Sequence, residues 1–160
     1  MKISIRRAKN DDLDKIVSLF ERTVNVINSQ HYSPKQIEAW LDDPTRAERF
    51  EEKIGSQLFY VCVDESDEIV GFSSITEDGY LDLLYVSQDH QREGIGALLM
   101  EQMLAAAKIR RCKIIEAHVS ITAVPFFKRN GFVTDVEQYV ERNGVKLKNY
   151  KMTKSLESRD

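Results

Sequence analysis

The sequence predicts an α/β fold of the α+β type, in which a mixed, mainly antiparallel central sheet carries helices on both faces. Two patterns lead to this prediction. In the first third of the chain, apolar residues recur at the three- and four-residue spacing of amphipathic helices. From residue 58 onward, short β-branched and aromatic runs alternate with further helical segments. A length of 160 residues suits one domain, 1–160, with a substantial core.

The N-terminal region is predicted to contain one strand and three helices. Residues 2–8 alternate as a strand does, and Asn10 is a candidate N-cap for the first helix. The apolar face of that helix consists of Leu13, Ile16, Val17, Phe20, Val24 and Ile27. Ser33-Pro34-Lys35-Gln36 is a capping box with proline at the first helical position, so a short helix should run through Trp40. Thr45-Arg-Ala-Glu48 repeats that signature and predicts a further short helix.

The remainder of the chain supplies most of the sheet, bringing the predicted total to about seven strands. Three strands, 58–64, 68–76 and 80–86, are separated by short acidic turns. A helix over 95–109, a strand over 113–119 and a short helix over 122–130 follow, and Gly131 is a candidate C-terminal cap for the last. Residues on either side of Asn143-Gly144 are predicted to form a closing hairpin.

Composition and charge exclude several classes of function. A net charge of −3 and a pI near 5.7 argue against nucleic acid as the main partner. Two separated cysteines and three scattered histidines form no metal-ligand spacing, so no metal site is expected. There is no apolar run near 18 residues and no apolar signal core at the N-terminus, so we expect no membrane association and a cytoplasmic location.

Two glycines at the start of the predicted helix 95–109 indicate an anion site. Gly94 and Gly96 each cost roughly 1 kcal/mol relative to alanine in a helix. The spacing matches neither a Walker A loop nor the dinucleotide fingerprint, because lysine and the third glycine are missing. A helix N-terminus presents unpaired N–H groups, and glycines let a phosphate approach them. Arg92 adds a formal positive charge. The alternative is that the glycines only allow close packing of the helix.

These residues also carry a family resemblance. Gln91-Arg-Glu-Gly94-Ile-Gly96, placed after the strand ending in Val86, resembles motif A of the GNAT superfamily of acetyl-CoA-dependent N-acetyltransferases, in its bacterial small-domain form. Its consensus is Gln/Arg-x-x-Gly-x-Gly/Ala. The segment 123–132, AVPFFKRNGF, is similar to the family's second signature, Ala-x-x-Phe-Tyr-x-x-x-Gly-Phe. The resemblance covers nearly the whole chain and implies acetyl-CoA as co-substrate and a sheet splayed between its fourth and fifth strands.

The resemblance also implies which residues contact the cofactor. The backbone of 84–86 would pair with the pantetheine arm, with the Val86 N–H near the thioester oxygen, and the loop and first helical turn would bind the pyrophosphate. Ser120 stands where many members have asparagine, and Phe127 where many have a tyrosine thought to protonate the departing thiolate. Phe127 has no proton to give. The implied cofactor-binding set is Leu84, Tyr85, Val86, Gln91, Arg92, Glu93, Gly94, Ile95, Gly96, Ala97, Ser120 and Phe127.

Acetyl transfer to an amine requires a group that takes the ammonium proton. Asp82 is the first candidate for a catalytic base, because it lies in an apolar strand and shares its parity with Leu84 and Val86. Glu116 is the second, and it shares one face of the next strand with His118, which could equally serve. The alternative for all three is an exposed position at a strand end or edge.

The segment between the first two helices is expected to shape the acceptor pocket, with His31, Tyr32 and Trp40 as substrate-binding candidates. The alternative places Trp40 in the core and His31 at the surface. The predicted function is transfer of an acetyl group from acetyl-CoA to a primary amine of a small molecule or peptide, by direct attack in a ternary complex. The alternative function is a non-catalytic acyl-CoA-binding sensor. A homodimer is compatible with the family.

Overall fold

The computed structural model describes residues 2–157, which contain seven strands and five α-helices. The strands are β1 (Ser4–Arg7), β2 (Leu58–Val63), β3 (Ile69–Ile75), β4 (Leu81–Val86), β5 (Ile114–Ser120), β6 (Val133–Arg142) and β7 (Val145–Ser155). The helices are α1 (Leu13–Val26), α2 (Pro34–Leu41), α3 (Arg46–Ser56), α4 (Ile95–Ile109) and α5 (Val124–Arg129). The predicted α+β class is confirmed. The predicted domain 1–160 also includes residue 1 and residues 158–160, which lie outside the described residues.

The strands form two antiparallel sheets that separate where the splay was expected. One sheet has the order β1-β2-β3-β4 and the other the order β5-β7-β6. Within the described residues the two sheets share one parallel bridge, between Tyr80 and Glu116, where the Glu116 N–H donates to the carbonyl of Gly79 at 3.1 Å. Beyond that bridge β4 and β5 diverge, which confirms the predicted splay between the fourth and fifth strands.

Helices cover both faces of the sheets. On one face α1, α2 and α3 pack on an aromatic cluster in which the Phe59 and Phe72 rings stack at 5.7 Å and Phe20 meets Phe50 edge-on at 5.3 Å. On the other face α4 and α5 bury aliphatic and methionine side chains, including Met103. Opposite faces of the splayed strands therefore meet different helices.

The local signals at helix starts were only partly correct. The Ser33 capping box is confirmed, since Ser33 Oγ accepts the Gln36 N–H at 3.1 Å and Gln36 Oε1 accepts the Ser33 N–H at 2.9 Å. Asn10 as N-cap is wrong: it lies inside a 3-10 turn, Asn10–Asp12, that precedes α1. The Asp12 carboxylate accepts the Lys9 N–H at 2.9 Å because Arg6 holds it there at 2.8 Å.

The helix predicted from Thr45-Arg-Ala-Glu48 exists as α3, but Thr45 does not cap it as the capping-box pattern predicts. Thr45 directly precedes α3, but its hydroxyl donates to Asp43 Oδ1 at 2.7 Å instead of accepting from the helix. The closing hairpin is confirmed. Asn143 and Gly144 have φ values of 51° and 78°, and Arg142 pairs directly with Val145 across this two-residue turn, as a type I′ turn requires.

Candidate active site

The divergence of β4 and β5 opens a cleft of about 640 Å³, called here the β4–β5 cleft. Most of the residues predicted from the sequence to contact the cofactor border it, together with Asp82. They are Leu84, Tyr85, Val86, Gln91, Arg92, Gly94, Ile95, Gly96, Ala97, Ser120 and Phe127. The cleft thus brings both family signatures together from segments about thirty residues apart.

The backbone of β4 presents an open edge to this cleft. The Ser87 N–H donates to the carbonyl of Val70 at 2.8 Å, toward β3. Because backbone groups of successive strand residues point to opposite sides, the N–H groups of Leu84 and Val86 point away from β3 and toward the cleft. The Val86 carbonyl accepts from Gln91 Nε2 at 2.7 Å, which fastens the following loop to the strand.

The loop then turns into α4 with its first amides available. Arg92 and Gly94 have positive φ angles of 65° and 82°. The Leu98 N–H donates to the Gly94 carbonyl at 3.1 Å and begins the helical ladder. The three preceding amides, 95–97, donate no hydrogen bond to any group within residues 2–157. They lie beside the cleft at the positive end of the helix dipole, where an anion is favoured.

The two glycines serve different purposes. A Cβ at Gly94 would meet no atom within 4 Å, so this position is constrained by its positive φ and opens onto free space. A Cβ at Gly96 would lie 3.1 Å from Phe126 Cε1 and 3.8 Å from Val86 Cγ2. Close packing, the alternative interpretation of the glycines, therefore applies to Gly96, whose neighbours both line the cleft.

Charged side chains flank the loop. Arg92 borders the cleft, and so does Arg129 of α5, which sequence reasoning missed although it lies inside the second signature. Glu93, predicted to bind the cofactor, is not among the lining residues and contacts His90 Nδ1 at 2.8 Å. His90 itself lines the cleft. Two cations therefore border the same cleft as the open amides of α4.

Asp82 lies at the cleft but does not share the orientation of Leu84, so the parity prediction was wrong. The register with β3 shifts here, since Ser74 pairs with Leu83 while Ile75 pairs with Leu81. The resulting β-bulge leaves Asp82 without a partner on β3. It also turns the Asp82 side chain to the opposite face of the sheet from the one that strict alternation predicts. Its Oδ2 lies 2.8 Å from Lys53 Nζ of α3 and accepts from the Gln57 side chain at 2.9 Å.

Tyr85 packs in the aromatic core, and its edge also reaches the cleft. Its ring contacts Phe20 at 5.0 Å and Phe72 at 5.5 Å. Burial raises the pKa of the Tyr85 phenol. This side chain is therefore a neutral, apolar part of the cleft wall.

Glu116 and His118 lie where the strands begin to part. Glu116 does not line the cleft; its Oε2 lies 3.4 Å from His118 Nε2 and its Oε1 lies 3.4 Å from Lys151 Nζ. His118 does line the cleft, and its imidazole packs edge-on against Tyr80 at 5.3 Å. Burial, with the nearby charges of Asp82 and Glu116, raises the pKa of Tyr80 to about 12. The sequence analysis assigned no role to Tyr80. Its position next to Gly79, at the start of a predicted strand, was the only sequence feature that could have drawn attention to it.

Ser120 and Phe127 line the opposite wall. Ser120 Oγ accepts from the Ala123 N–H and from Asn28 Nδ2, both at 3.3 Å. Asn28 is buried, lines the cleft and was not predicted. Phe127 is 5% exposed and packs edge-on against Phe132 at 5.0 Å. The position of the family's tyrosine is thus occupied by an apolar ring.

The three predicted acceptor residues lie outside the lining of the cleft. His31 Nδ1 contacts Thr122 Oγ1, which lines the cleft, at 2.9 Å. The buried Tyr32 hydroxyl donates to a β7 carbonyl at 2.7 Å and accepts the Ile121 N–H at 3.0 Å. Trp40 packs edge-on against Tyr32 at 5.4 Å. Tyr32 also borders a second groove, of about 780 Å³, between α1 and α2.

Comparison with known proteins identifies the class that this cleft defines. Residues 28–154 match the family model of the acetyltransferase (GNAT) domain. The chain belongs to the GNAT family, which confirms the resemblance. It is 34% identical over 152 residues to the N-acetyltransferase YafP of Escherichia coli (strain K12), covering 94% of each chain. It is 29% identical over 136 residues to the peptidyl-lysine N-acetyltransferase YjaB of Salmonella typhimurium, covering 82% of this chain and 84% of that protein.

Solved structures agree with this assignment. A GCN5-related N-acetyltransferase from Rhodopseudomonas palustris superposes with a TM-score of 0.91 at 27% identity, over 98% of this chain and 97% of that one. The PaiA N-acetyltransferase from Thermoplasma acidophilum, solved in complex with coenzyme A, superposes with a TM-score of 0.78 at 20% identity, over 97% and 99% of the two chains. The protein is an acyltransferase with acetyl-CoA as its co-substrate. Within residues 2–157, no helix combines the length and apolar character needed to cross a bilayer.

Proposed function

We propose that this enzyme transfers the acetyl group of acetyl-CoA to a primary amine of a small molecule or peptide, by direct attack in a ternary complex. The observation that carries the proposal is that the β4–β5 cleft is reached from both faces of the sheets. Gly96 and Phe126 line it on the α4 side, whereas Thr23 and Asn28 line it on the α1 side. Donor and acceptor can therefore occupy the cleft together from opposite faces.

The donor side fits coenzyme A. The free amides of 95–97, with Arg92 and Arg129, suit a pyrophosphate, and the open edge of β4 suits an extended amide-containing arm. Acetyl-CoA supplies an activated acyl thioester. The inward N–H groups of Leu84 and Val86 would stabilise negative charge on its carbonyl oxygen. Preorganised donors of this kind contribute on the order of 3 kcal/mol to a transition state.

The cysteines support direct attack over a covalent acyl-enzyme. Among the described residues that line the cleft there is no cysteine. Cys62 is fully buried in β2, and burial raises the pKa of its thiol to about 11. Cys112 lies at the far end of α4, with its Sγ 3.6 Å from the Glu77 carbonyl. Neither thiol lines the cleft, so neither is placed to attack a thioester bound there.

The acceptor side suits a cationic amine. Of the predicted catalytic residues, Asp82 lines the cleft, and Glu116 lies behind His118, which lines it; both carboxylates add negative charge near its inner end. His31 lies outside the lining but contacts Thr122, which lines the cleft. The Tyr32 hydroxyl accepts the Ile121 N–H next to Thr122, and Trp40 packs against the Tyr32 ring. Because a relative at 29% identity is named a peptidyl-lysine N-acetyltransferase, lysine side chains of peptides are the first acceptors to test.

Initial-rate kinetics with a panel of lysine peptides and small amines test this function. We expect thiol release that depends on the amine, with double-reciprocal lines that intersect, and no acetylated enzyme by intact mass. Parallel lines with a stable acetyl-enzyme would contradict direct attack. Saturable coenzyme A binding without turnover of any amine would favour the non-catalytic sensor instead.

Two further expectations are part of the proposal. A homodimer is proposed from the family resemblance, and the exposed Val133 and Val136 side chains, which lie opposite Thr153 and Lys151 on one face of β6, give it a candidate contact surface. Sedimentation equilibrium across a concentration series tests it. A cytoplasmic location is proposed from the sequence, and fractionation of cells that produce the protein tests it.

A further inference from the structure

Four polar side chains meet at the inner end of the β4–β5 cleft, where the strands begin to part. They are Tyr80, Asp82, Glu116 and His118. Only Asp82 and His118 of these four line the cleft in the described chain. The His118 side chain is 36% exposed, with one ring nitrogen, Nε2, turned toward Glu116 at 3.4 Å. The imidazole is therefore accessible and has a carboxylate neighbour.

His118 lies just beyond the parallel bridge, on the strand that borders the cleft opposite β4. The bridge joins Tyr80 to Glu116, and beyond it the two strands part. His118 follows Glu116 by two residues on β5, as the bulged Asp82 follows Tyr80 by two on β4. His118 lines the cleft together with Leu84 and Val86, whose N–H groups face it, so an amine at the inner end of the cleft shares that space with the imidazole.

Asp82 is poorly suited to accept a proton. Lys53 and Gln57 both contact its Oδ2, and the carboxylate is only 15% exposed. Two donors therefore already occupy Oδ2, which leaves that oxygen no free position to accept a proton from the amine. Glu116 does not line the cleft and contacts Lys151 as well as His118. The geometry thus favours the imidazole over either carboxylate.

We propose that His118 is the general base of the acetyl transfer and that Glu116 is its positioning residue, an inference that rests on the proposed function. His118 takes one proton from the acceptor ammonium and becomes an imidazolium, which the Glu116 carboxylate stabilises. The freed nitrogen lone pair forms the C–N bond while the C–S bond breaks and its electron pair leaves on sulfur. The second amine proton goes to the thiolate, and the imidazolium returns its proton to water.

The pH dependence of kcat/KM for the amine tests the base. An imidazole titrates between about pH 5 and 8, whereas a carboxylate titrates near 4. We expect His118→Gln to lose the acid limb in that range and about 100-fold of its rate at pH 7, a typical contribution of a general base. Asp82→Asn should keep the limb. His118→Gln should also keep its thermal stabilisation by coenzyme A, which separates proton transfer from cofactor binding.

Glu116→Gln tests the positioning role without turnover. The groups facing the imidazole are Glu116, the Tyr80 ring, Asp82 and Lys151, which is the direct cross-strand partner of His118 on β7. Removing the nearest negative charge disfavours the imidazolium, so the NMR titration of His118 in the free protein should move to lower pH, together with the acid limb of kcat/KM. Glu137→Gln is the matched control, because Glu137 of β6 also forms an ion pair, with Lys148 of β7 at 2.9 Å, but does not contact His118. It should move neither.

The outcomes separate this inference from the proposed function. If the wild-type protein acetylates amines but His118→Gln retains the acid limb, or Asp82→Asn loses it, the base assignment is wrong and the function stands. If His118→Gln fails to fold, His118→Asn takes its place under the same criterion. If the wild-type protein acetylates no amine, the proposed function fails and the base assignment fails with it.

Discussion

Gly96→Val tests the proposed pyrophosphate-binding site at the start of α4. The new Cβ would lie 3.1 Å from Phe126 Cε1 and 3.8 Å from Val86 Cγ2, so the side chain enters the floor of the cleft. Overpacking of this kind costs typically about 1–3 kcal/mol of stability. The larger effect should fall on coenzyme A binding. Losing two amide hydrogen bonds to a charged group, each about 1.5 kcal/mol, equals roughly a 100-fold weaker Kd.

Thermal denaturation with and without coenzyme A measures that loss. Ligand at 100 times Kd stabilises the folded state by about 2.7 kcal/mol. An unfolding entropy of about 2.1 cal/mol/K per residue, over 160 residues, converts this to a Tm rise of roughly 8 °C. At the same ligand concentration a 100-fold weaker variant gains only about 0.4 kcal/mol, or roughly 1 °C.

Gly55→Val is the matched control. Gly55 lies in α3, and a Cβ there would meet no atom within 4 Å. This variant should keep the full Tm rise of about 8 °C. A Gly96→Val protein that also keeps the full rise would refute the assignment of the pyrophosphate to the first turn of α4.

Three further predictions follow from individual contacts. Val86→Pro removes the cleft-facing N–H and should lower kcat by about 10²–10³-fold if that donor stabilises the oxyanion. Val86→Ala keeps the N–H and should keep kcat. Equal kcat values for the two variants would show that this N–H has no part in the mechanism. Tyr32→Phe removes the hydroxyl that accepts the part-buried Ile121 N–H and donates to the Lys148 carbonyl, and should cost about 1–3 kcal/mol in urea unfolding. An unchanged midpoint would contradict the hydrogen-bond assignment. Hydrogen bonding to Arg6 lowers the pKa of Asp12. This pair should therefore stabilise the fold above about pH 4, and the contribution should be lost as the pH falls through the lowered pKa of Asp12. Arg6→Gln should make the free energy of unfolding less dependent on pH below about pH 4.

Sequence reasoning succeeded where the determining contacts are local. The Ser33 capping box joins residues three apart, and the Asn143-Gly144 turn depends on two adjacent residues that tolerate positive φ. Because the residues in these interactions are close together in the sequence, a short segment is enough to predict them.

The failures depend on partners that lie outside the mispredicted residue's own helix or strand. The bulge at Asp82 depends on register with β3, so strict alternation along β4 assigned its side chain to the wrong side. Tyr32 finds its hydrogen-bond acceptor at the Lys148 carbonyl, 116 positions away. Asn10 was displaced as a cap because Arg6 on β1 positions Asp12. None of these pairings leaves a periodic signal in the sequence.

An NMR titration of backbone amides with coenzyme A tests most directly the claim that the β4–β5 cleft is the site of acetyl transfer. We expect the largest shifts at Val86 and at residues 95–97, whose N–H groups face the cleft and the predicted pyrophosphate position. Shifts confined to the larger groove between α1 and α2, around Glu38 and Asp42, would contradict the account.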